Sequence, residues 1–183
     1  MDGITSIQES TKIIIVGLDN CGKSSILVSL KEDSNLLSFI TLHPTRGVNI
    51  EEILAEDKLI NVLDLGGQQQ YRQSHLEKFK ELIVGVKTLI FVIDVQDFKR
   101  YKLALNYFKG IIDLLNESKN FINISIYLHK YDPNLKKQKR YQDIDNKINT
   151  ELIIPIEQII PSEFKYNFFK TAIYTVFEKT LVK

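Results

Sequence analysis

Residues 11–24 read Thr11-Lys12-Ile13-Ile14-Ile15-Val16-Gly17-Leu18-Asp19-Asn20-Cys21-Gly22-Lys23-Ser24. Four consecutive β-branched apolar residues, Ile13 to Val16, run straight into Gly17, which is the pattern of a strand buried on both faces. From Ser24 to Lys31, Ile26, Leu27 and Leu30 recur at helical spacings and share one face of a short helix. Between strand and helix, Gly17 to Ser24 fits the P-loop pattern G-x-x-x-x-G-K-[ST]. Glycines let backbone N–H groups wrap polyphosphate oxygens, Lys23 neutralises β and γ charge, and the Ser24 hydroxyl is placed to ligate Mg²⁺. A plain strand-to-helix turn with a solvated lysine is the alternative; the preceding buried strand and the anion-favouring start of the helix argue against it.

Working outward, Asp33-Ser34-Asn35 punctuates the chain, and an irregular segment continues through His43-Pro44. A hairpin pattern follows, roughly Gly47 to Leu54 and Lys58 to Leu63, turning at Ala55-Glu56-Asp57. A helix-like stretch over 71–84 leads to a buried strand, Leu89 to Ile93, and then to a broad apolar stripe over 101–117 that predicts an amphipathic helix packed on a sheet. Ile122 to Leu128 is the next strand. Beyond a basic loop at 133–140 the pattern predicts a weak helix near 141–152 and irregular chain bracketed by Pro155 and Pro161. A short strand near 166–169 and a final helix from about 173 complete it. Strands alternating with helices give an α/β layered domain with a mostly parallel sheet, without internal repeat or linker.

With 183 residues the expectation is one compact domain. Lys plus Arg number 24 against 23 Asp plus Glu, so no broad basic face exists to recruit nucleic acid. A hydrophobic fraction of 44% with 26% charged residues is a folding composition rather than a disordered one. Cys21 is the only cysteine, which precludes an internal disulfide or thiolate cage and fits a reducing, cytoplasmic setting. No apolar stretch is long enough to span a bilayer, the N-terminal residues do not read as a signal peptide, and with Asp2 and a C-terminal Thr-Leu-Val-Lys no lipid anchor is expected. Membrane contact, if made, is expected to be peripheral.

Two further motifs bear on chemistry. Asp64-Leu65-Gly66-Gly67-Gln68 ends the second hairpin strand; there an Asp can hold a Mg²⁺ shell, a glycine N–H can meet a γ-phosphate, and a Gln can orient water, though the same residues also make an ordinary loop. Leu128-His129-Lys130-Tyr131-Asp132 follows another buried strand. A carboxylate at Asp132 can accept from guanine N1–H and its exocyclic amine while the Lys130 stem covers the base; the alternative is a polar loop with a lone His.

In this order the three elements resemble the small GTPases, and within them the branch of Arf-like and Rag-like proteins. Gly17 to Ser24 resembles the Arf P-loop, Pro44-Thr45-Arg46-Gly47-Val48-Asn49 its first switch, and Asp64 to Gln68 its second. The resemblance covers essentially the whole chain. It implies a three-layer P-loop GTPase domain over 1–183, with helices on both faces of the sheet, that binds GTP or GDP with Mg²⁺ and hydrolyses GTP slowly. Asp19, Asn20, Cys21, Gly22, Lys23, Ser24 and Ser25 would hold the phosphates. Ser24, Thr45 and, through water, Asp64 would hold Mg²⁺, with Thr45 and Gly67 also reading the γ-phosphate. Gln68, by positioning the hydrolytic water, and Lys23, by spreading the phosphate charge, would be catalytic. His129, Lys130, Asp132, Thr171 and Ala172 would form the base site, Ala172 through its backbone N–H. Effectors and regulators would read residues 40–50 and 65–75; homo- or heterodimer formation and peripheral membrane contact are left open.

Two features depart from the common pattern. His129 stands where most small GTPases carry Asn, and the stretch after Gln68 is also Rag-like; yet the dimerising module of Rag-like proteins is not expected after residue 183. Little of an Arf-type N-terminal amphipathic helix is legible, with only Met1, Ile4 and Ile7 apolar there. A Rag-like scaffold that holds nucleotide with little turnover is therefore the second reading, and a P-loop kinase, which lacks its arginine-rich lid here, a third. Arg46 reads either as a built-in arginine finger or as a solvated side chain. The cluster Lys136, Lys137, Lys139 and Arg140 reads as a solvated face or an anion contact. Cys21 is read as a small tolerated residue, and His43 and His75 are given no role.

Overall fold

The structure is a computed structural model that describes residues 11–31, 34–55 and 58–174. The expected final helix falls mostly on 175–183 and the N-terminal segment on 1–10, both outside the described residues. Strand β1 (Thr11–Gly17) lies inside a six-stranded sheet of order β2-β3-β1-β4-β5-β6. The other strands are β2 (Val48–Ala55), β3 (Lys58–Leu65), β4 (Val86–Asp94), β5 (Asn123–His129) and β6 (Tyr166–Thr171). Only the β2–β3 hairpin pair is antiparallel.

Alternation along β1 explains its unbroken apolar run. Ile14 and Val16 enter the core on one face, Ile13 and Ile15 the cluster on the other, and no position is left for a polar residue. The first face is covered chiefly by helix α5 (Tyr101–Glu117), whose buried Tyr107, Phe108, Ile111, Ile112 and Leu115 follow the helical period. Phe91 of β4 and Phe108 meet at 4.8 Å between ring centroids, inclined by 59°. Burial of each such side chain contributes about 1.5–3 kcal/mol. On the second face, helix α1 (Lys23–Ser29) supplies Ile26 and Leu27.

Several boundaries differ from the sequence reading. Helix α2 (Leu36–Ile40) lies inside the segment expected to be irregular; Asn35 caps it, its side chain accepting from the N–H groups of Leu37 and Ser38 while Ser38 returns a bond to the Asn35 N–H. The stretch 71–84 is two helices, α3 (Gln69–Glu77) and α4 (Phe79–Leu82), interrupted at Lys78. The helix near 141–152 is α6 (Ile144–Ile148) followed by a π-turn over Asn149–Ile153. Pro155 does not open irregular chain: it sits in the first turn of α7 (Ile154–Ile159), which continues directly from the π-turn. No helix among the described residues is long and apolar enough to cross a membrane.

This topology positions the site. In the sheet β1 is flanked by β3 on one side and β4 on the other, and the strand order reverses there; α/β sheets bind ligands outside the carboxyl ends of their strands at such a point. Gly17, Leu65, Asp94, His129 and Thr171 end the five parallel strands at that edge.

Candidate nucleotide site

The glycine-rich loop leaves β1 at Gly17 and enters α1 after Gly22, which has φ of 100° and whose carbonyl accepts the first helical bond from Ile26 N–H at 2.9 Å. A Cβ at Gly22 would lie 2.5 Å from His129 Cδ2, so loop and ring approach as only glycine permits. Lys23 curls back beneath the loop, its buried Nζ donating to the Gly17 and Leu18 carbonyls at 3.1 and 2.9 Å. Cys21 is buried, and burial raises its thiol pKa above the ordinary value, so its role is packing.

Ser24, Thr45 and Asp64, from three separated segments, converge. Asp64 Oδ2 accepts from the Thr45 hydroxyl at 2.7 Å and from the Ser24 hydroxyl at 2.9 Å, and the hydroxyls are 3.0 Å apart. Asp64 is buried, and its other oxygen, Oδ1, is unpartnered within the protein. An all-oxygen cluster with a buried, unpartnered carboxylate oxygen fits a hard divalent cation. Among the described residues no group of three or more His, Cys, Asp or Glu could hold a metal, so a cation here depends on hydroxyl and substrate oxygens.

Gly67 closes directly on the glycine-rich loop. Its carbonyl accepts from Asp19 N–H at 3.1 Å and from Arg72 Nη1 at 2.6 Å; a Cβ there would lie 2.2 Å from Asp19 N. Arg72 also approaches Asp19 Oδ1 at 3.8 Å, while Arg100 reaches the same oxygen at 3.2 Å and Asp97 at 2.5 Å. Gln68 precedes α3 without a side-chain bond to the helix backbone; its Oε1 accepts from the Gln70 side chain at 3.3 Å at the rim of the site. Asp19, Asn20, Gly22 to Ser25, Thr45, Gly67 and Gln68 line one cavity of about 250 Å³.

A second cavity, about 600 Å³, continues from Gly22 and Ser25 to His129, Lys130, Asp132, Phe39 and Tyr174. Lys130 Nζ donates to Asn20 O at 2.8 Å and pairs with Asp94 Oδ2 at 2.8 Å, drawing its stem across this cavity. Both Asn20 (φ 58°) and Lys130 (φ 62°) hold left-handed backbone, a cost of about 1 kcal/mol or more each that collects at functional sites. His129 Nδ1 meets Thr171 Oγ1 at 2.9 Å; burial, and then the Lys130 charge, lower its pKa and keep the ring neutral. The ring thus ties β5, β6 and the glycine-rich loop together. Ala172 lines an adjoining cavity of about 490 Å³ that it shares with Asp132.

Sequence reasoning passed over Asp94, Gln96, Arg72 and Arg100, which hold these groups in place. Asp94 had a signal, an acidic residue ending a buried strand as Asp64 does; the others had none. Arg46 is exposed, which favours its solvated reading. Lys136 pairs with Asp145, and the Arg140 guanidinium lies 5.3 Å from the Tyr141 ring centroid, so the basic cluster is partly neutralised and partly stacked.

Fold and site define a P-loop α/β domain of the small GTPase class, with two adjoining cavities at the carboxyl edge of the sheet. The match to known families narrows this: residues 1–163 fit the family model "Arf: ADP-ribosylation factor family", and the chain belongs to that family. It is 33% identical over 144 residues to ADP-ribosylation factor-like protein 3 of Caenorhabditis elegans, covering 78% of this chain and 71% of that protein. It is 30% identical over 149 residues to ADP-ribosylation factor K of Dictyostelium discoideum, covering 80% and 67%. The Trypanosoma brucei Arl6 BBS3 small GTPase, solved with the nucleotide analogue GppNp, superposes with a TM-score of 0.61 at 15% identity, over 89% of this chain and 87% of that one, and shares the fold. The chain is accordingly a GTP-binding switch with GTP hydrolase activity that works with effectors and regulators. None of these findings favours the Rag-like alternative.

Proposed function

We propose that this chain cycles between GTP and GDP with Mg²⁺, and that its switch is the closure of Thr45 and Gly67 over the phosphate end of the site. The observation that carries the reading is the convergence of Ser24, Thr45 and Asp64 around a buried carboxylate oxygen without a protein partner. Ser24, Thr45 and Asp64 would hold Mg²⁺, which would supply charge neutralisation at the phosphate end. Ser24 and Thr45 present hydroxyl oxygens to it, and Asp64 orients both. Lys23 exchanges its carbonyl partners for phosphate oxygens, and backbone N–H groups of the glycine-rich loop spread the developing charge. Gln68 aligns water for in-line attack. Unassisted turnover in this mechanistic class is as slow as about 10⁻⁴ s⁻¹, which leaves acceleration to a partner's arginine.

Loss of the γ-phosphate removes the group that Thr45 and Gly67 contact, so residues 40–50 and 65–75 rearrange, and effectors and regulators read that change. Asp132 selects guanine, the Lys130 stem covers the base, and Ala172 offers its N–H to the base oxygen. The whole chain acts as one nucleotide-binding domain in the cytoplasm, with membrane contact peripheral. The test of the cation site is nucleotide release: chelation of Mg²⁺ speeds GDP dissociation at least tenfold in the wild type, and Asp64→Asn shows fast release already with Mg²⁺ present. Release indifferent to chelation would refute the role given to these three residues.

A further inference from the structure

The group that would distinguish guanine is the Asp132 carboxylate, and a side chain from a different strand end sets its orientation. Gln96 lies two residues beyond β4. Its backbone N–H donates to Asp94 Oδ1 at 2.9 Å, which fixes where its side chain starts. Its Nε2 then donates to Lys130 O at 2.8 Å and to Asp132 Oδ2 at 2.6 Å. Both hydrogens of the amide are thereby used, so the amide plane is fixed and the carboxylate with it.

We propose that Gln96 is a positioning residue for base selection: by holding Asp132 Oδ2 it keeps the carboxylate in the plane needed to accept two bonds from guanine. This rests on the assignment of Asp132 as the base-reading group. Recognition of guanine requires both N1–H and the exocyclic 2-amine to donate to one carboxylate, with both oxygens presented along the base edge. An unsupported Asp rotates broadly about its terminal torsion. Gln96 removes that rotation while leaving one lone pair of Oδ2 and all of Oδ1 for the base. Asp94 and Lys130 frame the same arrangement, through the Asp94 Oδ2 to Lys130 Nζ pair at 2.8 Å and the Lys130 bond to Asn20 O. A freed carboxylate still takes one bond from N1–H but rarely two. The loss therefore falls on the 2-amine, which guanine has and hypoxanthine lacks.

The test is equilibrium binding of GDP and of IDP, its hypoxanthine counterpart, to the full chain with Mg²⁺. The wild type, Gln96→Leu and Gln96→Glu are compared. The wild type prefers GDP. In Gln96→Leu the preference shrinks by about tenfold, the equivalent of one bond to a charged acceptor. GDP affinity falls, and IDP affinity changes by less than about threefold on the same scale. Gln96→Glu keeps the shape but sets a second carboxylate against Asp132, and its preference shrinks at least as far. Equal losses for GDP and IDP, or a preference unchanged in both variants, would overturn the inference and leave the nucleotide site intact. A wild type that binds GDP without preferring it to IDP would overturn it as well. A wild type that binds neither nucleotide would overturn the site reading and the inference with it.

Discussion

Replacing Gly67 by Ala tests the switch through a single methyl group. The added Cβ would lie 2.2 Å from both Asp19 N and Leu18 C and 2.5 Å from Gly17 O, where ordinary contact begins at 3.4 Å. All three are backbone atoms of the glycine-rich loop, so the second switch must retreat by more than an ångström. That retreat breaks the Asp19 N–H to Gly67 O bond at 3.1 Å and the Arg72 bond to the same carbonyl at 2.6 Å. One neutral and one charge-assisted bond together contribute roughly 2.5–4 kcal/mol net. This corresponds to about 60- to 700-fold in affinity for a ligand that requires the closed arrangement. In the proposed switch GTP requires it and GDP does not. The assay is competitive binding of GDP and a non-hydrolysable GTP analogue to wild type and Gly67→Ala. The analogue weakens within that range while GDP stays within about threefold. Equal weakening of both ligands, or unchanged analogue binding, would refute the closure of Gly67 as the γ-phosphate sensor.

Other consequences are as direct. Asp132→Asn replaces an acceptor by a donor, so GDP affinity falls by at least about 100-fold while the xanthine nucleotide, with oxygen in place of the 2-amine, becomes the preferred ligand; displacement titrations with GDP and XDP check it. Acid sensitivity follows from two buried histidines. Burial, and then the Lys130 charge, lower the pKa of His129 from 6.5, and burial does the same for His75, against an opposing contact with the Gly47 carbonyl. The unfolded chain therefore takes up protons first on acidification. Stability is complete above about pH 6.5 and declines as pH falls below it, by up to about 1.4 kcal/mol per pH unit for each histidine. Urea midpoints between pH 7.5 and 5.0 measure the decline, which His129→Asn and His75→Phe each reduce; a flat profile in the wild type would contradict it. Asp145, lowered from 3.8 by Lys136 and Lys170, titrates below that window and does not confound it.

What the sequence made legible was local. The run from Ile13 to Ser24 encodes strand, loop and helix start in consecutive residues, because phosphate binding by backbone N–H groups needs glycines and a lysine at fixed short offsets. Asp64 and Asp132 stood out as candidates because each lies at or shortly beyond the end of an apolar strand. The full stripe of α5 over Tyr101–Glu117 was readable for the same reason of period. Illegible were the partners that hold these groups. Gln96 and Asp132 are 36 positions apart, and nothing in either neighbourhood announces the other. Arg72 and Arg100 meet Asp19 only because α3 and the start of α5 fold over the loop. Helix α2 carried a signal, the Asn35 and Ser38 capping pair, that five residues of helix were too short to reinforce. At Pro155 a breaker signal was read as a boundary, although α7 continues directly from the π-turn there.

The most direct test of the account is single-turnover hydrolysis by the purified full chain loaded with GTP in the presence of Mg²⁺, for the wild type and Gln68→Leu side by side. The account predicts that the wild type retains guanine nucleotide and converts GTP slowly to GDP. Gln68→Leu is at least tenfold slower with its GTP affinity little changed. Equal turnover in the two proteins, or a wild type that binds no guanine nucleotide, would contradict it.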